Sequence, residues 1–318
     1  MALVYMQGWE MRPGQDSLAR WNVSGVVQPN QTTVTFQHPD GYGGGDTALA
    51  CSSGASLEAP SEISLVGTGQ MQSCVQAGTT WQQGATILAL IDGNGDDIIE
   101  LRAADTSEES RIAVLHNGVT QDTTSQRLSV GEWYRITMRF YSGGTMLLGT
   151  YVDGQLVSDV QVTRMTQNTA TGIRWGGASY TNLYHDHTTC WEGATSSPRS
   201  FDNFDSAALR EVWIQGLRPS GDNTDGGFTP TTPGDLYPML TYADDSNSCE
   251  TTTDPDALQV QMENRSVVDP SWDPIIQGVQ VQGAGRGHGT LDKAAVTMEL
   301  SGTLVAGTTL TISGTHGM

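Results

Sequence analysis

The chain reads as an all-β protein, a two-sheet sandwich followed by a smaller β-domain, and three observations carry that reading. The first is the stretch 131–160, GEWYRITMRFYSGGTMLLGTYVDGQLVSDV, where Tyr134, Ile136, Met138 and Phe140 alternate with Arg135, Thr137 and Arg139. Alternation at period two gives a strand with one apolar and one wet face. The second is spacing: at least nine strand-like segments fall in the first 215 residues, roughly ten residues apart, with no convincing helix. The third is composition, with Gly at 38 of 318 residues and apolar residues at 37%, a balance that suits many strands joined by tight turns.

Taken in order, the chain predicts strands at 3–6, 32–36, 86–91, 98–102, 111–115, 134–140, 146–152, 155–160, 173–175 and 209–215. Residues 61–64 and 68–72 are polar and ambiguous. Asn117-Gly118 and Asp153-Gly154 are hairpin signals, because a two-residue turn needs backbone at φ > 0. The Pro, Gly, Thr and Asp of 219–240 predict a linker between a sandwich over 1–218 and a small C-terminal β-domain over 241–318. In that domain, 257–262, 276–282, 294–300 and 308–312 alternate as strands.

The formal net charge is −20, and Lys293 is the single lysine. A field of that sign repels nucleic-acid phosphates and anionic lipid heads, so neither nucleic acid nor membrane insertion is expected of this chain. No apolar run approaches twenty residues, and MALVYMQGWEMRP has neither the basic nor the long apolar region of an export signal, so the sequence predicts a soluble chain not signalled for secretion. Cys51, Cys74, Cys190 and Cys249 are widely spaced, which favours isolated buried thiols over a disulfide such as Cys51 to Cys74.

Several groupings invite a functional reading. Glycoside hydrolysis needs two carboxylates flanking the scissile bond, and neither Glu108-Glu109 nor Asp202 with Asp205 has the spacing for it. No Gly-x-Ser-x-Gly elbow is present, so no catalytic residue is assigned and a non-enzymatic protein is expected. His185-Asp186-His187 with Cys190 lacks a third metal ligand fixed by spacing, and a histidine-containing loop is preferred. Asp92, Asn94 and Asp96 have the one-three-five oxygen spacing of a calcium loop. They lack its Gly at the sixth place, Asp97, and its Glu at the twelfth, Ala103, leaving a solvated hairpin turn as the preferred account and a looser calcium site as the alternative. Gly283 to Gly289 superficially matches a phosphate loop, but a strand pattern follows it. Trp175, Tyr180, Tyr184 and Trp191, with Asn182, cluster in what reads as an irregular segment, 175–192, and form the candidate surface for a glycan or partner. The glycosylation sequons at Asn22, Asn30 and Asn264 carry no meaning if the protein is made in a bacterial cytoplasm.

The aromatic strand followed by the Tyr151-Val152-Asp153-Gly154 hairpin resembles the laminin-G-like, concanavalin-type jelly roll. With Gly8-Trp9-Glu10, Gly131-Glu132-Trp133-Tyr134, the acidic stretch 244–248 and the segment 276–281, the chain resembles a family of tailed-phage structural proteins that carry such a domain. That resemblance implies a virion component of tail fibre, tail tip or capsid decoration, assembled in the host cytoplasm. It would contact other virion proteins as a homo-oligomer, with no cofactor. From a different class comes the alternative of a carbohydrate-binding module that recognises a host-surface glycan, with calcium as a helper. A third reading, a secreted polysaccharide hydrolase, is not expected.

Overall fold

A computed structural model describes residues 2–8, 35–37, 48–51, 56–59, 63, 65–66, 68–142, 145–163, 169–176 and 182–193, and then 219–224, 226–230, 233–236, 238, 249–250, 259–262, 293–300 and 303–311. The chain divides into two compact units, Met1–Ala19 with Val23–Ile214, and Arg20–Asn22 with Gln215–Met318.

The first unit contains β1 (Ala2–Gln7), β2 (Thr35–Gln37), β3 (Ala48–Cys51), β4 (Ser56–Ala59), β5 (Leu65–Val66), β6 (Thr68–Ala77), β7 (Thr86–Ile91), β8 (Asp97–Ala103), β9 (Glu109–Ser110), β10 (Ile112–His116), β11 (Val119–Thr123), β12 (Leu128–Ser129), β13 (Trp133–Ser142), β14 (Thr145–Val152), β15 (Gln155–Thr163), β16 (Thr169–Ala170), β17 (Gly172–Gly176) and β18 (Leu183–Glu192). Its larger sheet runs β15-β14-β13-β6-β18-β3-β2, with β1 also paired to β18. The smaller runs β11-β10-β8-β7-β17-β4. Their pairings are all antiparallel, as the hairpin signals require. This is the jelly-roll sandwich that the strand pattern predicts.

Ile136, Met138 and Phe140 of β13 and Met71 of β6 line the inner face of the larger sheet. Leu88 and Leu90 of β7, Leu101 of β8 and Trp175 of β17 line that of the smaller, all essentially closed to solvent. The sheets meet where the Tyr5 ring lies 6.2 Å from that of Trp175, and where Trp175 Nε1 donates to Thr188 Oγ1 at 2.9 Å. Full burial of each such side chain contributes about 1.5–3 kcal/mol. Asn117-Gly118 and Asp153-Gly154 have positive φ at both residues, the geometry of two-residue hairpin turns.

Three expectations are revised. Within 175–192 the described residues are mostly strand rather than irregular: they are the end of β17 and all of β18, an interior strand of the larger sheet. The ambiguous 68–72 opens the ten-residue β6. The expected linker 219–240 is not strand-free, since Pro219–Thr224 pairs with Gln259–Met262 and Thr229–Pro230 with Cys249–Glu250 in the second unit. There too Lys293–Leu300 pairs with Thr303–Thr311, close to the strands expected at 294–300 and 308–312. The expected strands 209–215 and 276–282 lie outside the described residues, as do Tyr180, Asp202, Asp205, Gly283 to Gly289 and the three sequons.

Candidate functional site

The outer face of the larger sheet can be read directly from its register. Side chains alternate across a strand, so residues paired with one another share a face. Four rows cross β13, β6 and β18. Trp133, Gln76 and Tyr184 form the first, and Arg135, Cys74 and Asp186 the second. Thr137, Gln72 and Thr189 form the third, joined by Tyr151 from β14. Arg139, Gln70 and Trp191 form the fourth. Polar groups therefore occupy a face that an ordinary sandwich would leave wet, yet most of it is closed to solvent.

Exposure grades across these rows. Trp133, Gln76, Tyr184 and Arg135 are half-buried, whereas Gln72 and Asp186 are 0% exposed and Arg139 is 2% exposed. Much of this floor is internally bonded. Arg139 Nε donates to Gln70 Oε1 at 2.6 Å, and its guanidinium lies 5.2 Å from the centre of the Tyr151 ring. The Trp191 indole donates to Thr189 Oγ1 at 3.2 Å. Gln72 differs, because neither its side-chain oxygen nor its nitrogen has a hydrogen-bond partner within the protein. A buried amide left so costs about 1–3 kcal/mol.

The half-exposed row is built with care. Gln76 Nε2 donates to the Gly131 carbonyl at 2.6 Å, which holds the amide flat between the two aromatic residues. The Tyr184 ring lies against Gly78, where a Cβ would stand 2.4 Å from Tyr184 Cε2. Gly78 N donates to Asn182 O at 2.9 Å, and Asn182 N donates to Thr79 Oγ1 at 3.2 Å, closing the end of β18 onto the end of β6. Trp133 and Tyr184 flank β6 from either side, so their Cα atoms are about 10 Å apart, two strand spacings.

The aromatic cluster expected at 175–192 is thus divided by the pleat. Trp175 is fully buried in the inter-sheet core and presents no ring to a ligand; the expectation fails there because Trp175 sits in β17 on the face turned toward the other sheet. Trp191 is on the outer face but only 7% exposed. Tyr184 and Asn182 remain at the half-exposed end. Sequence reasoning missed Trp133, Arg135, Gln72 and Gln76. The available signal was Trp133 itself, an aromatic on the wet side of the alternation that otherwise carries Arg135, Thr137 and Arg139.

The other candidates are arranged differently. His185 faces the core with both ring nitrogens lacking a partner, and burial pushes its pKa down to about 3, keeping it neutral. Asp186 lies on the opposite face with its Oδ2 3.6 Å from His187 Nε2, and His187, at φ 45°, occupies a bulge in β18, so His185 is set apart from the other two and the three do not gather as a metal-binding loop would. Asp92 to Asp96 form the β7–β8 hairpin turn: Asp92 Oδ1 accepts from Asn94 N at 2.8 Å and Asp96 N at 3.0 Å. Those bonds direct the carboxylate inward to the turn, and among the described residues no group of three or more His, Cys, Asp or Glu side chains is placed to hold a metal. Cys51 and Cys74 lie on opposite faces of the larger sheet, and all four thiols are free.

On the outer face of the smaller sheet, Arg174 donates to Glu58 Oε1 at 2.6 Å, to the Gly95 carbonyl at 2.6 Å and to Asp97. Asp97 is pushed up to about 6, first by desolvation and next by Glu100, against Arg174 and Arg102. This clamp ties β4, β17 and the β7–β8 hairpin together and is fully spent on doing so.

The fold and face define a β-sandwich with a polar, aromatic-rimmed sheet surface. No family model matches the chain, and no curated protein does. Among solved structures, the chain is similar to the globular domain of T. cruzi calreticulin, with 8% identity and TM-score 0.43 over 61% of this chain and 89% of that one. Domain 4 of AbnA, an extracellular arabinanase from Geobacillus stearothermophilus solved with arabinotriose, gives 12% identity and TM-score 0.43 over 61% and 94%. The carbohydrate-binding module CBM66 from Bacillus subtilis gives 14% and 0.36 over 53% and 96%. The ligands in those descriptions belong to those proteins.

Proposed function

We propose that the first unit is a non-catalytic carbohydrate-binding module whose ligand lies along the outer face of its larger sheet. The observation that carries this is the Trp133-Gln76-Tyr184 row: two half-exposed aromatic side chains astride a fixed amide, opening onto a floor that contains an unsatisfied amide, Gln72. Sugar rings present an apolar face that stacks on aromatics and a rim of hydroxyls that pair with amides, so both halves of the row have a use. Binding without turnover is the proposed role because the two carboxylates on the described outer face, Asp186 on β18 and Asp159 on β15, stand four strands and so about 19 Å apart, too far to flank one bond.

The virion setting is carried in the same proposal: a particle component that meets a glycan on the host surface. What supports self-association is the sandwich edge. Val119 on β11 and Leu156 on β15 are 61% and 47% exposed, and these end strands are linked by the Ser158 hydroxyl donating to Asp122 Oδ2 at 2.5 Å.

A glycan array on the full chain, with light scattering on the same sample, tests both parts. Wild-type protein should bind a defined set of glycans, and Tyr184→Ala should lose that binding while keeping the wild-type unfolding temperature within a few degrees. Retained binding in folded Tyr184→Ala would refute the site, and a monomer at all concentrations would refute the self-association.

A further inference from the structure

Arg135 lies beside this row with an unused charge. It follows Trp133 by two on the same face of β13, so a ring stacked on Trp133 brings its substituents over the guanidinium. The backbone of Arg135 is well held: its N–H donates to Asp153 Oδ1 at 2.9 Å, and Asp153 N donates to its carbonyl at 2.9 Å. The side chain extends over the β14–β15 turn, where a Cβ on Gly154 would be 3.5 Å from its terminal nitrogen. Among the described residues no ion pair forms there, and Nε is buried without a hydrogen-bond partner. The contrast with the other described arginines is direct: Arg102, Arg111, Arg127 and Arg174 each engage a carboxylate, and Arg139 engages Gln70.

We infer that Arg135 is an anion subsite of the proposed glycan face, and that the ligand class is an acidic sugar bearing a carboxylate or sulfate next to a ring stacked on the Trp133-Gln76-Tyr184 row. This rests on the glycan reading. A planar guanidinium pairs with two oxygens of one oxyanion, which supplies geometry as well as charge. Acids do lie near this position, with Asp153 at the turn and Asp186 two strands away on the same face. The chain's formal charge of −20 also opposes a polyanion at long range. Beyond about 8 Å, physiological salt screens that opposition, so the local guanidinium decides the contact.

The experiment is titration calorimetry on the full chain with four probes: uronic-acid oligomers, the same oligomers fully methyl-esterified, dextran sulfate, and dextran. Arg135→Gln and Tyr184→Ala are compared with wild type, each verified as folded by thermal unfolding. The expected result is a preference for one charged probe over its neutral counterpart, weakened by about tenfold or more in Arg135→Gln and by added salt. The uronate and sulfate arms tell which oxyanion is read. If neutral and charged probes bind alike, with Tyr184→Ala abolishing both and Arg135→Gln changing neither by more than about twofold, the acidic-sugar inference falls and the glycan face stands. If no probe and no array glycan binds, both fall.

Discussion

Gln72 offers a test in which stability and function should move in opposite directions. Its amide is fully buried in the middle of the polar face with neither polar atom bonded inside the protein. Methionine has the same unbranched shape without the polar atoms, so Gln72→Met removes the orphaned groups while preserving packing. Each atom left unsatisfied costs about 1–3 kcal/mol, less a share that relaxation or solvent recovers, so a net gain of about 1–2 kcal/mol is expected. For a unit of this size, that is a rise in Tm of about 2–8 °C, read by calorimetry and by the urea midpoint at constant slope. On the proposed glycan reading, binding should fall in the same variant, because the amide removed belongs to the proposed face. Destabilisation by about 1 kcal/mol or more would show that the amide is satisfied in the free protein. In that case its place in the site argument would be lost.

Two further perturbations follow from the same geometry. Gly78→Ala places a methyl 2.4 Å from Tyr184 Cε2, so the ring must shift; glycan affinity should drop by about tenfold with a stability loss of about 1–3 kcal/mol, and unchanged affinity in the folded variant would refute the pinned-ring account. Asp97, at about 6 when folded and 3.8 as its ordinary value, holds a proton that the unfolded chain has already released. Its protonation therefore supports the fold fully below about pH 4, and that support is lost as pH rises through about 6. Asp97→Asn should remove that part of the slope when urea stability is measured across the window, whereas an identical slope would show that Asp97 is not desolvated. Asp105 has the opposite sign: hydrogen bonds from Arg111 hold its carboxyl well below the usual range, so its contribution is present above about pH 4 and fades on acidification.

How much of this was legible in the sequence depended on whether a strand had one wet face. β13 and the β7–β8 and β14–β15 hairpins were readable because apolar and polar residues alternate there and the turns carry Asn-Gly or Asp-Gly. β18 was not, since LYHDHTTCWE has no aliphatic alternation: it is covered on both faces, and a bulge at Asp186 to Thr189 shifts the phase midway. The same cause hid β6, whose outward residues are Gln70, Gln72, Cys74 and Gln76. Polar residues normally signal solvent, and here they mark a face withdrawn from it.

That inversion is also the argument for where function resides. A sandwich stabilises itself through the faces between its sheets, and Trp175, Leu88, Met71 and Phe140 accomplish that here. Nothing in that requirement calls for burying Gln72, Arg139 and Asp186 on the far side of the larger sheet, at a desolvation cost. The cost is offset in part by local bonds such as Gln70 with Arg139, but Gln72 and the Nε of Arg135 have none. Groups that destabilise the free protein and lie together beside two half-exposed aromatics are best accounted for by a ligand that satisfies them. On the proposed reading, the two aromatics set where that ligand enters, and the guanidinium of Arg135 sets what charge it carries.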